Sequence, residues 1–291
     1  MGYDRAMKID DDGNISFRQS WLSNAENCPE RMRLDFLHPE RSRTSDEAFI
    51  GTAAHYGIEA VIEGRCAAAD IADAVRESYR NDPEAKTMYF ARPKTHQSTI
   101  GECIDLSIRC AEAWVRDIMP HMPLDGARCE VPFDVPVFEH DGRIVSIKGT
   151  CDVVPATGGL WDHKTSARDY KQREKQLWNT QATVYSMADC YGGFGRTDVR
   201  PPTTFTFSVM VKLKKECRGQ IVTVQRDVGH FRRLEKVMRG WVDLLDGVGY
   251  DKQWPMISDG NYLCNHWCDH YDQCRGADIS KEDDLFGYVP K

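Results

Sequence analysis

The 291-residue chain has no apolar run approaching the ~18 residues that cross a bilayer as a helix. Its first residues, running through Asp4, Lys8 and Asp10-Asp11-Asp12, lack the apolar stretch of a secretory signal. The expectation is a soluble cytoplasmic protein, in the host cytoplasm if phage-encoded, with no membrane partner. No Gly-Lys-Ser or Gly-Lys-Thr of a phosphate-binding loop occurs, so any helicase that works with this protein is expected to be another chain. Positive charge is also short. A net charge of -7 excludes coating of nucleic acid through the overall field, which needs lysine and arginine against phosphates. There is no internal repeat and no low-complexity segment.

What is present is enough for a folded core, with 41% hydrophobic residues. Basic residues gather locally in Lys164 to Lys175, Lys212 to Arg218 and Arg226 to Arg239, which suits either solvated faces or DNA contacts. Ser16-Phe17-Arg18-Gln19 has capping-box spacing and predicts a helix start; a second helix is expected over Pro29 to Leu37. Helical spacing follows over Ser45 to Glu63, Ala68 to Arg80 and Thr95 to Met119. From Arg128 the pattern alternates. CEVPFDVPVF, GRIVSIKGTCDVV and GGLWDHKTS predict three antiparallel strands, with a turn at Pro155-Ala156-Thr157-Gly158-Gly159. Tyr170 to Tyr191 returns to helical spacing, TTFTFSVMVKL and QIVTVQRDV predict two more strands, and His230 to Leu245 a final helix. The order fits a mixed α/β fold with helices flanking a central sheet.

Two carboxylates and one lysine carry the chemical signal. Asp152 ends the second predicted strand and Asp162 lies in the third, so a short turn brings both to one edge of the sheet. Within Asp162-His163-Lys164 the two-residue period of a strand places Asp162 and Lys164 on one face and His163 on the other. Hard carboxylate oxygens suit Mg²⁺ or Mn²⁺, and a neighbouring ammonium suits the negative charge of phosphodiester hydrolysis. On spacing alone, a turn cap with a surface salt bridge is the commoner arrangement.

Five motifs in order raise the nuclease reading above that alternative: Gly51-Thr52-Ala53-Ala54-His55 in a helix, Glu130 in the first strand, Gly149-Thr150-Cys151-Asp152, Asp162-His163-Lys164-Thr165, and Gln181 with Tyr185. Together they resemble the RecB-like branch of the PD-(D/E)XK nuclease superfamily over about Phe17 to Gly276. The resemblance implies a restriction-endonuclease-like fold, His55, Asp152 and Asp162 as side-chain ligands of Mg²⁺ or Mn²⁺, and His163 contributing its main-chain carbonyl. It also implies Lys164 as the catalytic amine, Glu130 as a supporting acid, and Gln181 and Tyr185, one helical turn apart, as the residues that position DNA.

Of the 11 cysteines, Cys264, Cys268 and Cys274 crowd into one short segment, as thiolates do around zinc or iron. The seven at 66, 103, 110, 129, 151, 190 and 217 fall within predicted elements, where small buried side chains are expected. The resemblance extends to iron-sulfur members of the family, similar to nucleases associated with CRISPR adaptation and to phage recombination exonucleases. It implies that Cys28 joins Cys264, Cys268 and Cys274 around a 4Fe-4S cluster that clamps the two ends of the chain. Structural Zn²⁺ on the same thiolates is the alternative. Relatives have Cys-x2-Cys where this chain has Cys-x3-Cys, which leaves His266 as an alternative to Cys264.

The expected organisation is a single nuclease domain over 1-291, with an α-rich part (1-125), a catalytic core (126-250) and a cysteine segment (251-291). The expected activity is metal-dependent exonucleolytic hydrolysis of DNA, at duplex ends or on single strands, in recombination, repair or end processing with a recombination protein or helicase. A non-catalytic DNA-end-binding subunit and a structure-specific endonuclease share these residues as alternatives.

Overall fold

A computed structural model describes residues 7–38, 44–214, 216–257, 264, 268 and 270–275. Its centre is a seven-stranded mixed sheet built from β1 (Lys8–Ile9), β2 (Ile15–Arg18), β3 (Arg128–His140), β4 (Arg143–Val154), β5 (Leu160–Ser166), β6 (Thr203–Lys212) and β7 (Cys217–Arg226). The path runs β1-β2-β4-β5-β6-β7, and β3 pairs with β4. Strands β2 and β4 are parallel, as are β5 and β6; the other pairs are antiparallel. Pro132 and Pro136 fit β3 because, among the described residues, it pairs with β4 alone, and proline is tolerated on such an edge strand.

Helices cover both faces, as the residue order led one to expect. On one side α1 (Gln19–Ala25), α8 (Thr180–Cys190) and α9 (Val228–Val248) bury Trp21, Val184 and Met238 against Phe205, Phe207 and Val209 of β6. On the other, α3 (Asp46–Ile62), α4 (Ile71–Asn81) and α6 (Ile100–Asp117) bury Phe49, Val75 and Trp114 against Val153, Trp161 and Met210. The alternating sides of β6 thus feed two cores, and a fully buried phenylalanine contributes about 1.5–3 kcal/mol by leaving water. Helix starts follow their caps: Ser45 accepts from Ala48 at the start of α3, and Thr99 with Glu102 forms a capping box on α6.

The N-terminal segment departs from expectation. Ser16 does not start a helix; Ile15–Arg18 is β2, and α1 begins at Gln19 without a side-chain cap. The Ser16 hydroxyl accepts from that of Ser146 on β4 at 3.2 Å. A pairing made with residues some 130 positions away has overridden the local capping signal, because the strand buries Ile15 and Phe17 completely. The helical expectation over Thr95 to Met119 narrows to α6, whose cap lies at Thr99.

One interruption in the sheet positions everything that follows. On the side away from β3, β4 pairs with β2 through Val145–Lys148 and with β5 only at Val153 and Trp161. Between these two partners lie Gly149, Thr150, Cys151 and Asp152.

Candidate active site

Side chains stand in for the missing ladder bonds at this interruption. The backbone N–H of His163 donates to the Asp152 carboxylate at 2.7 Å, and the Tyr185 hydroxyl, from α8, donates to the Thr150 carbonyl at 2.7 Å. Gly149 has no side chain because a Cβ there would lie 2.7 Å from the Phe133 ring and 3.3 Å from that of Tyr185. The Gly149 to Asp152 stretch is therefore open on one edge yet has these polar groups satisfied.

Asp162 is wholly buried. Its carboxylate accepts from Gln181 Nε2 at 2.8 Å and lies 2.6 Å from Lys164 Nζ. His163 points to the opposite face, where its Nδ1 meets the Ser208 hydroxyl at 2.9 Å and its ring lies 5.6 Å from that of His55. From α3, His55 brings Nδ1 to 3.7 Å from Asp152, while its Nε2 is buried without a hydrogen-bond partner. His55, His163 and Lys164 also border an open groove of about 540 Å³ between α3 and the end of β5, which Thr52, Thr165, Ser166 and Lys212 share.

The residues named from sequence are thus distributed in two roles. Asp152, Asp162, Lys164 and His55 come together at the interruption. Gln181 and Tyr185 contact Asp162 and the Asp152 strand, and Tyr185 is buried. Glu130 takes a left-handed φ of 47° inside β3, a conformation that costs a non-glycine residue about 1–3 kcal/mol. The β3–β4 register skips it between the Cys129–Val153 and Val131–Cys151 pairs.

A model of the PD-(D/E)XK nuclease superfamily matches residues 16–275. The chain belongs to that superfamily. A structure from Eubacterium rectale, named as a candidate exonuclease, resembles this nuclease at TM-score 0.52 and 14% identity, covering 94% of this chain and 93% of its own. SSO0001 is similar at TM-score 0.41 and 13% identity, covering 91% and 88%. No curated protein sequence matches.

The nuclease centre is electrostatically crowded. Asp162 has its pKa pushed up to about 6, first by burial and then by the Asp152 charge, against the pull of Lys164. Burial raises Asp152 as well, with Glu59 adding to the rise. Glu130 is an exposed residue, yet loss of water around its carboxyl and the charges of Asp152, Glu59 and Asp162 push it up to about 7. Burial and the Lys164 charge bring His55 down to about 4, so its ring is neutral at neutral pH. Lys164 is held above its usual value by the two aspartates and remains an ammonium.

Glu59 escaped the sequence analysis as a site residue. Its signal was the four-residue spacing from His55, which places both on one face of α3. Arg65 pairs with it at 3.2 Å.

Members of the superfamily use Mg²⁺ or Mn²⁺. Among the described residues no three His, Cys, Asp or Glu side chains converge as a ready-made ligand set. The donor chemistry nevertheless fits a hard divalent cation. The buried Asp162 and half-buried Asp152 carboxylates repel each other, and a neutral imidazole beside them has one buried nitrogen without a partner. This gives a pH prediction. Asp162 has a higher pKa folded than unfolded, so the stability associated with its protonated form is lost as pH rises through about 6. A cation offsets that loss only where the carboxylates are ionised. Mn²⁺ at about 100 times its Kd is expected to stabilise the protein by about 2.7 kcal/mol at pH 8 and by much less at pH 5. Thermal unfolding at both pH values measures it; equal shifts would count against cation binding here.

Proposed function

We propose that this chain is a DNA exonuclease that hydrolyses phosphodiester bonds with Mg²⁺ or Mn²⁺ held by His55, Asp152, Asp162 and the main-chain carbonyl of His163. The observation that carries the proposal is the grouping at the interruption of β4. Asp152 takes the His163 N–H, Asp162 holds Lys164 at 2.6 Å, and His55 faces the same place from α3. The cation supplies Lewis acidity and charge neutralisation at the phosphate. Lys164, kept protonated by the aspartates, donates from Nζ to the attacking water or a phosphate oxygen. Gln181 holds Asp162 in orientation, and Tyr185 holds the Thr150 carbonyl, so these two position the acids that face the DNA. Glu130 supports the cluster from β3.

Cys28, Cys264, Cys268 and Cys274 are proposed to bind a 4Fe-4S cluster. All four border one small cavity between α2 (Pro29–Leu37) and the short helix α10 (Tyr271–Arg275), and none of the chain's cysteines is in a disulfide. Soft thiolates from both chain ends suit iron or zinc. His266, the alternative to Cys264, lies outside the described residues, as does most of the segment 258–291. The seven remaining cysteines are buried or half-buried. The single-domain division into 1-125, 126-250 and 251-291 is part of this proposal, as are a recombination partner and a separate helicase. Among the described residues no helix is long and apolar enough to cross a membrane.

Exonuclease action is favoured by the name of the Eubacterium rectale neighbour. Digestion of circular and end-labelled linear DNA, duplex and single-stranded, with Mn²⁺ tests it. Loss of the linear forms only is the expected result. Cleavage of circles would establish a structure-specific endonuclease, and binding of ends without cleavage a non-catalytic DNA-end-binding subunit.

A further inference from the structure

The basic run after Lys164 leads into a helix that is fixed to the sheet in an unusual way. Helix α7 (Gln172–Trp178) lies along the edge strand β7, whose outer backbone groups have no strand partner among the described residues. Glutamines take their place. Gln176 both donates to the Gln225 carbonyl and accepts from the Gln225 N–H, each at 3.0 Å, and Gln172 donates to the Thr223 carbonyl. Ahead of the helix, Gln220 pairs with both backbone groups of Tyr170, at 2.8 and 3.0 Å. The far end is closed by Arg226, 1% exposed, which donates to the carbonyls of Lys175, Gln176 and Asn179 and to the Thr183 hydroxyl.

This scaffold aims Lys175 inward. Its Nζ lies 3.7 Å from the centre of the Tyr170 ring and 5.5 Å from that of Phe207, which is paired in register with Asp162. No carboxylate lies within ion-pair distance of Lys175 among the described residues, whereas Lys171 on the outer face pairs with Glu174. Its strongest electrostatic neighbour is the like-charged Lys164, and the charge of Asp162 is already engaged by Lys164. Half-buried among two aromatic faces, with a like charge as its strongest electrostatic neighbour, the Lys175 ammonium has no counter-anion of its own among the described residues, and an anion beside it would supply one.

We propose that Lys175 binds the substrate directly, its ammonium engaging a backbone phosphate of the DNA strand beside the phosphate being cleaved. The faces of Tyr170 and Phe207 hold the Lys175 ammonium in place, and the glutamine clamp on β7 fixes helix α7, and Lys175 with it, against the sheet. The proposal rests on the DNA-nuclease reading of the same centre.

Lys175→Met keeps an unbranched side chain beside the two rings and removes the charge; Lys175→Arg restores a cation. Binding of a fluorescent single-stranded DNA in EDTA, over a salt series, is read beside the KM and kcat of Mn²⁺-dependent cleavage. Lys175→Met is expected to weaken binding on the order of tenfold at low salt and to lower the slope of log K against log salt by about 0.7, the share of one phosphate contact. KM should rise more than kcat falls, the melting temperature should hold or rise, and Lys175→Arg should recover the slope. A wild-type slope and KM in Lys175→Met would overturn the proposal. So would weaker binding that comes with a lowered melting temperature and is not recovered by arginine, since that describes a structural lysine. If wild type cleaves no DNA but binds it with a slope that Lys175→Met lowers, the phosphate contact stands and the catalytic reading fails.

Discussion

Lys164→Ala is expected to lower kcat/KM for DNA cleavage by about 10²–10⁴-fold, the range for losing a positioned proton donor at the reacting centre. The variant has a second, opposite signature. Lys164 is an ammonium next to the carboxylates proposed to hold the cation, so removing it takes a repulsive charge away from the cation. The Mn²⁺ concentration giving half-maximal activity should therefore stay the same or fall while the maximum collapses. Titrating Mn²⁺ on both proteins separates this from a damaged metal site, in which half-saturation would rise. The fold should survive, since Asp162, deprived of its ion pair, keeps the Gln181 hydrogen bond and takes up a proton more readily once the Lys164 charge no longer holds its pKa down. Unchanged kcat/KM would remove Lys164 from the chemistry.

Cys28→Ser should have the largest effect on stability. Treated as a cross-link, a cluster joining Cys28 to Cys264 closes a loop of about 235 residues and stabilises the fold by at most about 5 kcal/mol. Part of that closure is already provided by other contacts. Glu30, 2% exposed, accepts from the Trp254 N–H at 2.7 Å, Arg33 donates to the Tyr250 carbonyl at 2.7 Å, and His270 meets Asp35 at 2.7 Å. These bonds tie α2 to the C-terminal segment without thiolates, so a loss of about 2–4 kcal/mol, or roughly 3–7 °C in melting temperature, is expected. Anaerobically purified wild type should be brown and Cys28→Ser should lose the colour. A colourless wild type with stoichiometric zinc would replace the cluster by zinc, and equal melting of both proteins would remove Cys28 from the site.

Much of this centre was legible because strand alternation is local. The period of β5 put Asp162 and Lys164 on one face and His163 on the other, and the structure has that arrangement. The hairpin between Asp152 and Asp162 likewise follows from a short turn. The interruption in β4 was not legible, since it depends on β2 pairing with Val145–Lys148 from the far end of the chain. The same non-local pairing turned the capping-box signal at Ser16 into a strand. Gln181 and Tyr185 could be placed on one helix face, but nothing local said that this face meets Asp162 and the Thr150 carbonyl. Glu130 adopts a left-handed conformation that no residue-type preference announces. The glutamine clamp of α7 on β7 is equally a property of the assembled sheet.

Asp162→Asn is the sharpest probe of the centre as a whole. Asparagine preserves an oxygen for Gln181 but leaves Lys164 without its ion-pair partner, so thermal unfolding at pH 8 without added metal is used to check that the variant is folded. The measurement is release of end label from linear DNA by wild type and Asp162→Asn, each with Mn²⁺ and with EDTA. The expected result is release by wild type with Mn²⁺ only, and about 10²–10³-fold less by the folded variant. Equal release by the two proteins, or release by wild type in EDTA, would contradict a metal-dependent nuclease centred on Asp152, Asp162 and Lys164.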